Sequence, residues 1–247
     1  MSAVSKLLNV QTKRTLRDPA SVFFMLAFAP MFVLIMGAIF GSDPRPEFDG
    51  KGFIEANLVA FTSIVIAITS FLMIPTDIIS QRETGALRRF RATPLRPSAY
   101  IAADVVVRFV ILMISVSLML VLGMTLFDAE LQGNFLSVLG ALVLGVFAFL
   151  AVGYLLAALL PSPQAAQALG NSITYPLIVL SGGAVPLDVM PDGVRDVAQF
   201  SPLTQLVEFL QGLWEGESWS DNWVSVAVLG GLLVVAAGLA QRVFRWE

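Results

Sequence analysis

Residues 135–160 read FLSVLGALVLGVFAFLAVGYLLAALL, a run that contains no charged side chain. A helix that crosses about 30 Å of hydrocarbon needs about 20 apolar residues, because each residue adds about 1.5 Å. The run is therefore long enough to span a membrane, and to tilt in it or project from it. Its apolar residues are continuous rather than alternating, which disfavours a transmembrane β-strand. We predict an all-α membrane protein.

Five other runs of similar character predict six transmembrane helices in one permease domain, residues 1–247. The fifth is the least uniform, since it contains Asn171, Thr174, Tyr175 and Pro176. Its polar side chains either pack helices together or contact a substrate on a possible pathway. The six predicted spans are Ser21–Gly41, Leu58–Ile79, Val105–Phe127, Phe135–Leu160, Ala165–Val185 and Trp223–Val243.

The composition agrees with a membrane protein and excludes several classes of site. Hydrophobic residues make up 57% of the chain and charged residues only 13%, about half the share in a soluble domain. The chain has no cysteine, which excludes disulfides, thiolate metal sites and cysteine nucleophiles. It also has no histidine, which excludes histidine-dependent catalytic triads, dyads and zinc sites.

Lysines and arginines are distributed unevenly over the segments that flank the spans. Four precede the first span, five lie between the second and third, and two lie in the last turn of the sixth or after it, whereas only three lie on the opposite side. Cytoplasmic connections of membrane proteins carry this excess. We therefore predict a multi-pass protein with both termini in the cytoplasm.

Residues 1–19 are predicted to form a short interfacial helix before the first span. Val4 and Leu8 lie on one side, basic residues lie elsewhere, and Asp18 and Pro19 end the helix. A basic amphipathic helix is suited to the headgroup layer, where it attracts anionic lipid. The alternative is a tail that only sets the orientation of the chain.

The connection between the second and third spans, residues 80–98, is rich in arginine. Ser80 and Glu83 have the spacing of a capping box, which predicts the start of a helix. Leu87 and Phe90 would share one face of it, and two prolines then end it. Such a helix could dock into a groove of a soluble partner and transmit force to the attached spans. The alternative is a positively charged loop that rests on lipid headgroups.

The outer connection, residues 186–222, contains a second predicted helix. Ser201 is a good N-cap, Pro202 a good first residue, and the helix runs to Glu215, with Gly216 suited to its C-terminal cap. At about 14 residues it is too short to span a membrane. It either lies at the outer interface or re-enters the membrane. Its apolar stripe consists of Leu203, Leu206, Val207, Leu210, Leu213 and Trp214.

Three charged residues, Asp77, Asp104 and Arg108, fall in or beside predicted spans. A charge at the bilayer centre costs about 2.5–3.5 kcal/mol on insertion scales, so each needs a partner or a function. Asp104 and Arg108 are four residues apart and can pair along a helix. Either Arg82 or Arg108 could serve Asp77. These residues are structural anchors or gating residues.

Two stretches resemble the ABC type-2 transporter permeases, which are membrane subunits of bacterial drug, polysaccharide and lipid-linked exporters and include daunorubicin-resistance permeases. The first is Arg82-Glu83-Thr84-Gly85-Ala86-Leu87, followed by Ala92-Thr93-Pro94-Leu95. The second is Ser181-Gly182-Gly183, Met190-Pro191, Pro202-Leu203 and Gln211. The chain departs from the family at Ala86, where threonine is common, and at Gln205, where histidine or arginine is more frequent.

The resemblance implies that the first stretch is a coupling helix that touches an ATPase. The ATPase-coupling residues would be Arg82, Glu83, Gly85, Leu87, Arg88, Phe90, Thr93 and Pro94. The outer gate or signature residues would be Ser181, Gly182, Gly183, Pro191, Pro202, Leu206, Leu210 and Gln211.

The sequence contains no GxxxxGK[ST] loop, so ATP is not expected to bind to this chain in the usual cradle. The resemblance implies two permease chains, identical or paralogous, above two ABC ATPase subunits that bind ATP and Mg²⁺, in a prokaryotic cell (inner) membrane. We expect no catalytic residue, metal, cofactor or nucleic acid on this chain. We expect export of an amphipathic drug, lipid or glycan along a route that the first, second and fifth spans face. The alternatives are an ATP-independent channel or carrier and, less favoured, an intramembrane enzyme.

Overall fold

The computed structural model describes residues 3–17, 19–48, 50–84, 97–182 and 190–243. Over these ranges the regular structure is helical and contains no strand, which confirms the predicted all-α class. The helices are α1 (Ala3–Arg17), α2 (residues 19–40), α3 (Phe53–Glu83), α4 (Pro97–Leu126), α5 (Phe135–Leu159), α6 (Pro163–Leu180), α7 (Asp192–Ala198), α8 (Pro202–Trp214) and α9 (Trp223–Val243).

Within the described ranges, five helices are long and apolar enough to cross a membrane: α2, α3, α4, α5 and α9. Helix α6 covers most of the predicted fifth span but is not one of the five, because Gln164, Gln167 and Asn171 make its first half polar. The predicted span also continued to Val185, which lies outside the described residues. The count of six spans therefore stays a prediction.

Helix α3 is the central element of the bundle. In its most apolar stretch 78% of the residues are buried, against 28% in α2 and 22% in α9. Its neighbours include α2, α4, α5, α6 and α8. Helices α2 and α9 are thus peripheral and leave large apolar side chains exposed, as expected for helices that face lipid or another membrane chain.

The bundle has two ends of different charge. We call the basic end the one that contains α1, the last turns of α3 and α5 and the first turns of α4 and α6. The opposite, acidic end contains residues 41–57, 127–134 and 190–222. The described residues of these three ranges include eleven acidic and only three basic side chains.

Helix α3 changes its winding near its middle. Residues Thr69–Met73 form a π-turn, and Pro75 follows in the α-helical segment Ile74–Glu83. Proline lacks an N–H, and its ring excludes the carbonyl four residues earlier, here that of Phe71, from the usual helical hydrogen bond. A π-turn accommodates such a break.

Two glycines make room for the carbonyls of this segment. A Cβ added to Gly153 of α5 would lie well under 3.0 Å from the carbonyl oxygen of Ser70, and one added to Gly170 of α6 would meet that of Phe71 in the same way. Real Cβ atoms do not come so close. The π-turn of α3 and the small residues of α5 and α6 therefore fit each other.

Helix α2 shows the same combination. The π-turn Phe23–Ala27 precedes Pro30, and the carbonyl of Leu26, four residues before this proline, accepts a hydrogen bond of 3.0 Å from Ser115 Oγ of α4. A side chain of a neighbouring helix thus satisfies a carbonyl that the proline has released.

One predicted helix start is wrong. The capping-box spacing of Ser80 and Glu83 predicted that a helix begins at Ser80, but both residues lie in the last turn of α3, which continues to Glu83. Helix α3 can continue because the segment is already wound when it reaches Ser80, and propagating a helix costs less than nucleating one. Leu87 and Phe90, the two residues predicted to share the docking face of the coupling helix, lie outside the described residues.

The predicted helix at 202–215 is present as α8, and its caps are confirmed. Ser201 Oγ accepts a hydrogen bond from the Thr204 N–H, and Gly216 has a φ of +100°. However, α8 is not a surface helix. Ten of its thirteen residues are buried, because it packs against α3, α5 and α9. Its depth in a membrane stays a prediction.

Candidate functional site

A buried guanidinium joins two helices at the basic end. Arg108 of α4 donates from Nη2 to Asp77 Oδ2 of α3, and from Nε to Asp104 Oδ2 at 2.8 Å. Tyr154 of α5 donates its Oη–H to the same Asp104 oxygen at 2.5 Å. Three helices are therefore connected through one arginine and two carboxylates.

This cluster is largely removed from solvent. The side chains of Arg108 and Asp104 are each only 4% exposed, and that of Asp77 is 32% exposed. Breaking a buried ion pair by removing one partner costs about 3–5 kcal/mol, since the remaining charge is left uncompensated. The cluster is thus expected to hold α3 and α4 together firmly.

The N-terminal helix is linked to the same cluster. Arg14 of α1 donates from Nη1 to Gln81 Oε1 at 2.5 Å, and Gln81 Nε2 donates to Asp77 Oδ2 at 2.9 Å. A hydrogen-bonded chain therefore runs from α1 through α3 to Arg108. We call Arg14, Gln81, Asp77, Arg108, Asp104 and Tyr154 together the polar network.

At the acidic end, Gln205 is the centre of a smaller polar group. It is buried in α8, and its Oε1 accepts a hydrogen bond of 2.8 Å from Ser225 Oγ of α9. Its Nε2 donates to the carbonyl of Gln199 at 2.8 Å and to Glu208 Oε2 at 3.3 Å. Burial raises the pKa of the Glu208 carboxyl above its ordinary value.

Helix α8 is also joined to α6 and to the turn between α4 and α5. Thr204 Oγ1 donates to the carbonyl of Leu180 at 3.1 Å, and the N–H groups of Gln132 and Gly133 both donate to the carbonyl of Trp214. Leu206 lies so close to Gly145 of α5 that a Cβ there would collide with it. Helix α8 is therefore held tightly between its neighbours in the bundle.

Comparison with known proteins identifies the family. The family model described as "ABC-2 type transporter" matches residues 3–213, which is most of the chain. The chain belongs to this family. It is the membrane subunit of a transporter, and its relatives are transporter subunits rather than enzymes.

Among the similar proteins are three bacterial permeases. The transport permease YvfS of Bacillus subtilis is 24% identical over 99% of this chain and 98% of its own length. The daunorubicin resistance ABC transporter permease protein DrrB1 of Streptomyces coeruleorubidus is 29% identical over 91% of this chain and 78% of its own. The inner membrane transport permease YhhJ of Escherichia coli is 23% identical over 72% and 49%. Permeases of this family generally work with an ATPase subunit.

In this ABC-2 permease, the described part of the coupling stretch lies next to the polar network. Arg82 does not pair with Asp77; it donates from Nη2 to the carbonyl of Leu160, at the end of α5, at 2.6 Å. Glu83 is exposed as the last residue of α3. The other predicted coupling residues, Gly85, Leu87, Arg88, Phe90, Thr93 and Pro94, lie outside the described residues.

The predicted outer residues are spread over three elements of the permease. Ser181 and Gly182 end α6, and the φ of Gly182 is +80°. Pro191 precedes α7, and the remaining residues lie on α8. Gly183 lies outside the described residues. On α8, Pro202 begins the helix, Leu206 and Leu210 are buried, and Gln211 donates to Glu215 Oε1 at 2.9 Å.

The predicted pathway residues of α6 do not form a single cluster. Thr174 is fully buried, Asn171 is half-buried and Tyr175 is 60% exposed. The exposed face of α6 is nevertheless polar in its first two-thirds. It carries Gln164, Gln167, Asn171, Ser172 and Tyr175, which recur at helical spacing.

Sequence reasoning did not single out three members of the polar network: Arg14, Gln81 and Tyr154. Tyr154 carried a detectable signal, since it is a hydroxyl in an otherwise apolar span and buried tyrosines normally find a partner. Gln81 and Arg14 carried none, because their contact depends on how α1 packs against α4, which brings Arg14 within reach of α3. Ser225, the partner of Gln205, was also missed, because this contact depends on how α9 packs against α8.

Proposed function

We propose that this ABC-2 permease couples ATP hydrolysis by a separate ATPase chain to outward transport of an amphipathic drug, lipid or glycan. Two ATPase copies would bind ATP and Mg²⁺ below a pair of permeases, identical or paralogous, in the cell (inner) membrane, with both termini in the cytoplasm. The observation that carries this proposal is the family match over residues 3–213. The relative named for daunorubicin resistance supports a drug or another amphiphile as the cargo.

The polar network supports a path for force from the ATPase into the membrane. The coupling stretch, residues 80–98, joins α3 to α4, and Arg108 binds both helices close to this connection. A push on the stretch would therefore move the adjacent ends of α3 and α4 as one unit. The π-turn at Thr69–Met73 gives α3 a place where this unit can bend relative to the rest of the helix.

The exposed face of α6 supports a transport route beside this helix. Glutamine and asparagine side chains that face hydrocarbon would lack hydrogen-bond partners, so such a face belongs against water or another polypeptide. We propose that α2, α3 and α6 face the route between two permeases. Helix α8, wedged at the acidic end, would close its outer exit.

The decisive experiment replaces the two apolar residues predicted to dock into the ATPase, in the double variant Leu87→Asp with Phe90→Asp. We expect loss of ATPase co-purification and of ATP-driven transport into inside-out vesicles, because a charged pair cannot fill an apolar groove. The matched control is Phe135→Asp with Leu136→Asp, the same residue types at exposed positions of the acidic end. Undiminished co-purification and transport in the first variant would contradict the coupling assignment.

A second measurement separates this proposal from an ATP-independent channel or carrier. The permease purified without any ATPase is reconstituted and assayed for cargo flux. We expect none. Flux from the permease alone would favour the channel or carrier and overturn the proposal.

A further inference from the structure

The exposed face of α1 combines positive charge with apolar side chains. Lys13 and Arg17 are exposed, and so are Val10 and Leu16, which are 50% and 56% exposed. These residues lie within one third of the helix circumference, with Lys13 near the centre, whereas Gln11 on the opposite side is buried against the bundle. Both kinds of side chain are thus presented to the same surroundings.

Such a face fits the boundary between lipid headgroups and acyl chains better than it fits either water or hydrocarbon. Apolar side chains can enter the acyl region there, while lysine and arginine reach phosphate groups. Each basic residue near an anionic membrane surface strengthens binding about five-fold. The charge on this face therefore selects anionic over zwitterionic lipid.

Arg14 connects this face to the interior of the permease. It lies half-buried beside the exposed face, between Lys13 and the bundle, and its guanidinium is hydrogen-bonded to Gln81, which in turn donates to Asp77. A guanidinium carries five N–H donors in one plane and can bind more than one acceptor at once. A phosphate bound next to Arg14 would act on the same group that holds α3.

We propose that α1 binds the headgroup of an anionic phospholipid through Lys13, Arg14 and Arg17, and that the Arg14–Gln81 hydrogen bond transmits this binding to the polar network. Lipid binding at α1 then stabilises the junction of α1, α3 and α4. The inference needs the chain to be in a membrane but does not need the ATPase, so it stands or fails separately from the proposed function.

The test uses the full-length permease alone, in nanodiscs of phosphatidylcholine or of a mixture with phosphatidylglycerol. Two quantities are measured: the phosphatidylglycerol retained by the purified protein and the midpoint of thermal unfolding. For the unaltered chain we expect retained phosphatidylglycerol and a higher midpoint, by about 2–4 °C, in the anionic discs.

Three variants separate binding from transmission. Lys13→Gln with Arg17→Gln should lose the retained lipid and the thermal shift, with affinity lowered about five-fold for each side chain. Gln81→Leu should retain the lipid but show a smaller shift, because the link to Asp77 is cut. The charge-matched control, Lys51→Gln with Arg195→Gln at the acidic end, should keep both properties.

Four results would overturn the proposal. The first is unchanged lipid retention after Lys13→Gln with Arg17→Gln, and the second is an equal loss in the acidic-end control. The third is an equal shift in phosphatidylcholine discs with soluble glycerol phosphate, which would indicate a site for a free anion. The fourth is a full shift in Gln81→Leu, which would remove the transmission step.

Discussion

The two ends of the bundle are assembled from different interactions. At the basic end, α1, α3, α4 and α5 meet around two guanidinium groups, two carboxylates, an amide and a phenol. At the acidic end, α3, α5 and α9 meet around α8, whose buried residues are mainly apolar. Charged and hydrogen-bonded side chains thus join the helices at the basic end, whereas mainly apolar packing joins them at the acidic end.

This difference has a mechanical consequence. Ion pairs and hydrogen bonds are directional, so helices that they join either keep their relative position or separate in a discrete step. Apolar contacts are non-directional and depend mainly on buried area. Among the described residues, a shift of α8 therefore breaks no buried ion pair, only the hydrogen bonds of Thr204, Gln205 and the Trp214 carbonyl. In the proposed exporter the basic end is suited to receive a push as a rigid unit, and the acidic end is suited to yield.

The largest expected effect comes from breaking the basic end at its centre. Arg108→Met removes the guanidinium and leaves Asp77 and Asp104 as uncompensated neighbours. We expect a loss of about 3–5 kcal/mol and a fall in the unfolding midpoint of roughly 6–20 °C, measured by thermal unfolding in nanodiscs. Arg242→Met, at an exposed position of α9, is the control and should change little.

A triple variant sharpens this result. Asp77→Leu, Asp104→Leu and Arg108→Met together replace the ions by apolar groups, which often restores stability. We expect the unfolding midpoint to recover while ATP-driven transport does not, because a directional link has become a non-directional one. Recovery of both the unfolding midpoint and transport would show that the cluster is only a structural anchor. The difference between the two ends would then have no role in transport.

The second effect concerns the π-turn of α3 between the two ends. Gly153→Ala would place a Cβ against the carbonyl oxygen of Ser70, and overpacking of this kind costs about 1–3 kcal/mol. Gly230→Ala in α9 is the matched control, because a Cβ there meets no atom within 4 Å and alanine favours the helix. Equal midpoints of thermal unfolding in the two variants would contradict the close fit of α5 against the π-turn of α3.

Some of this architecture could be predicted from sequence because it depends on local spacing. The Asp104–Arg108 pair followed from a separation of four residues, and the caps of α8 followed from Ser201-Pro202 and Gly216. Both are confirmed. Long apolar runs likewise predicted the spans α2, α3, α4, α5 and α9, although α3 and α4 begin earlier than expected.

What could not be predicted depends on contacts between distant residues. Sequence left Arg82 and Arg108 as equal candidates for Asp77, and only the packing of α4 beside α3 selects Arg108. The bond between Arg14 and Gln81 joins residues 67 positions apart. The burial of α8 was hidden for a similar reason, since an amphipathic pattern does not reveal how many helices surround it.

The smallest expected effect tests the polar group of the acidic end. Burial raises the pKa of Glu208 from its ordinary value of 4.5, so the folded chain holds this proton more tightly than the unfolded chain does. Its contribution to stability is fully present below the ordinary pKa and is lost as the pH rises through the raised one. We expect less than about 1 kcal/mol, because the group is partly exposed and screened.

Glu208→Gln should abolish this pH dependence. The variant should match the unaltered chain at a pH below the ordinary pKa and have a higher unfolding midpoint at neutral pH, measured over a pH series in nanodiscs of neutral lipid. Glu130→Gln, at an exposed position of the same end, is the control. A difference that is constant over the series would mean that the lost contact with Gln205, rather than the partly desolvated charge, causes the change. A pH-dependent difference would place a charge penalty on α8, so that this helix is held less firmly when Glu208 is ionised than when it is protonated.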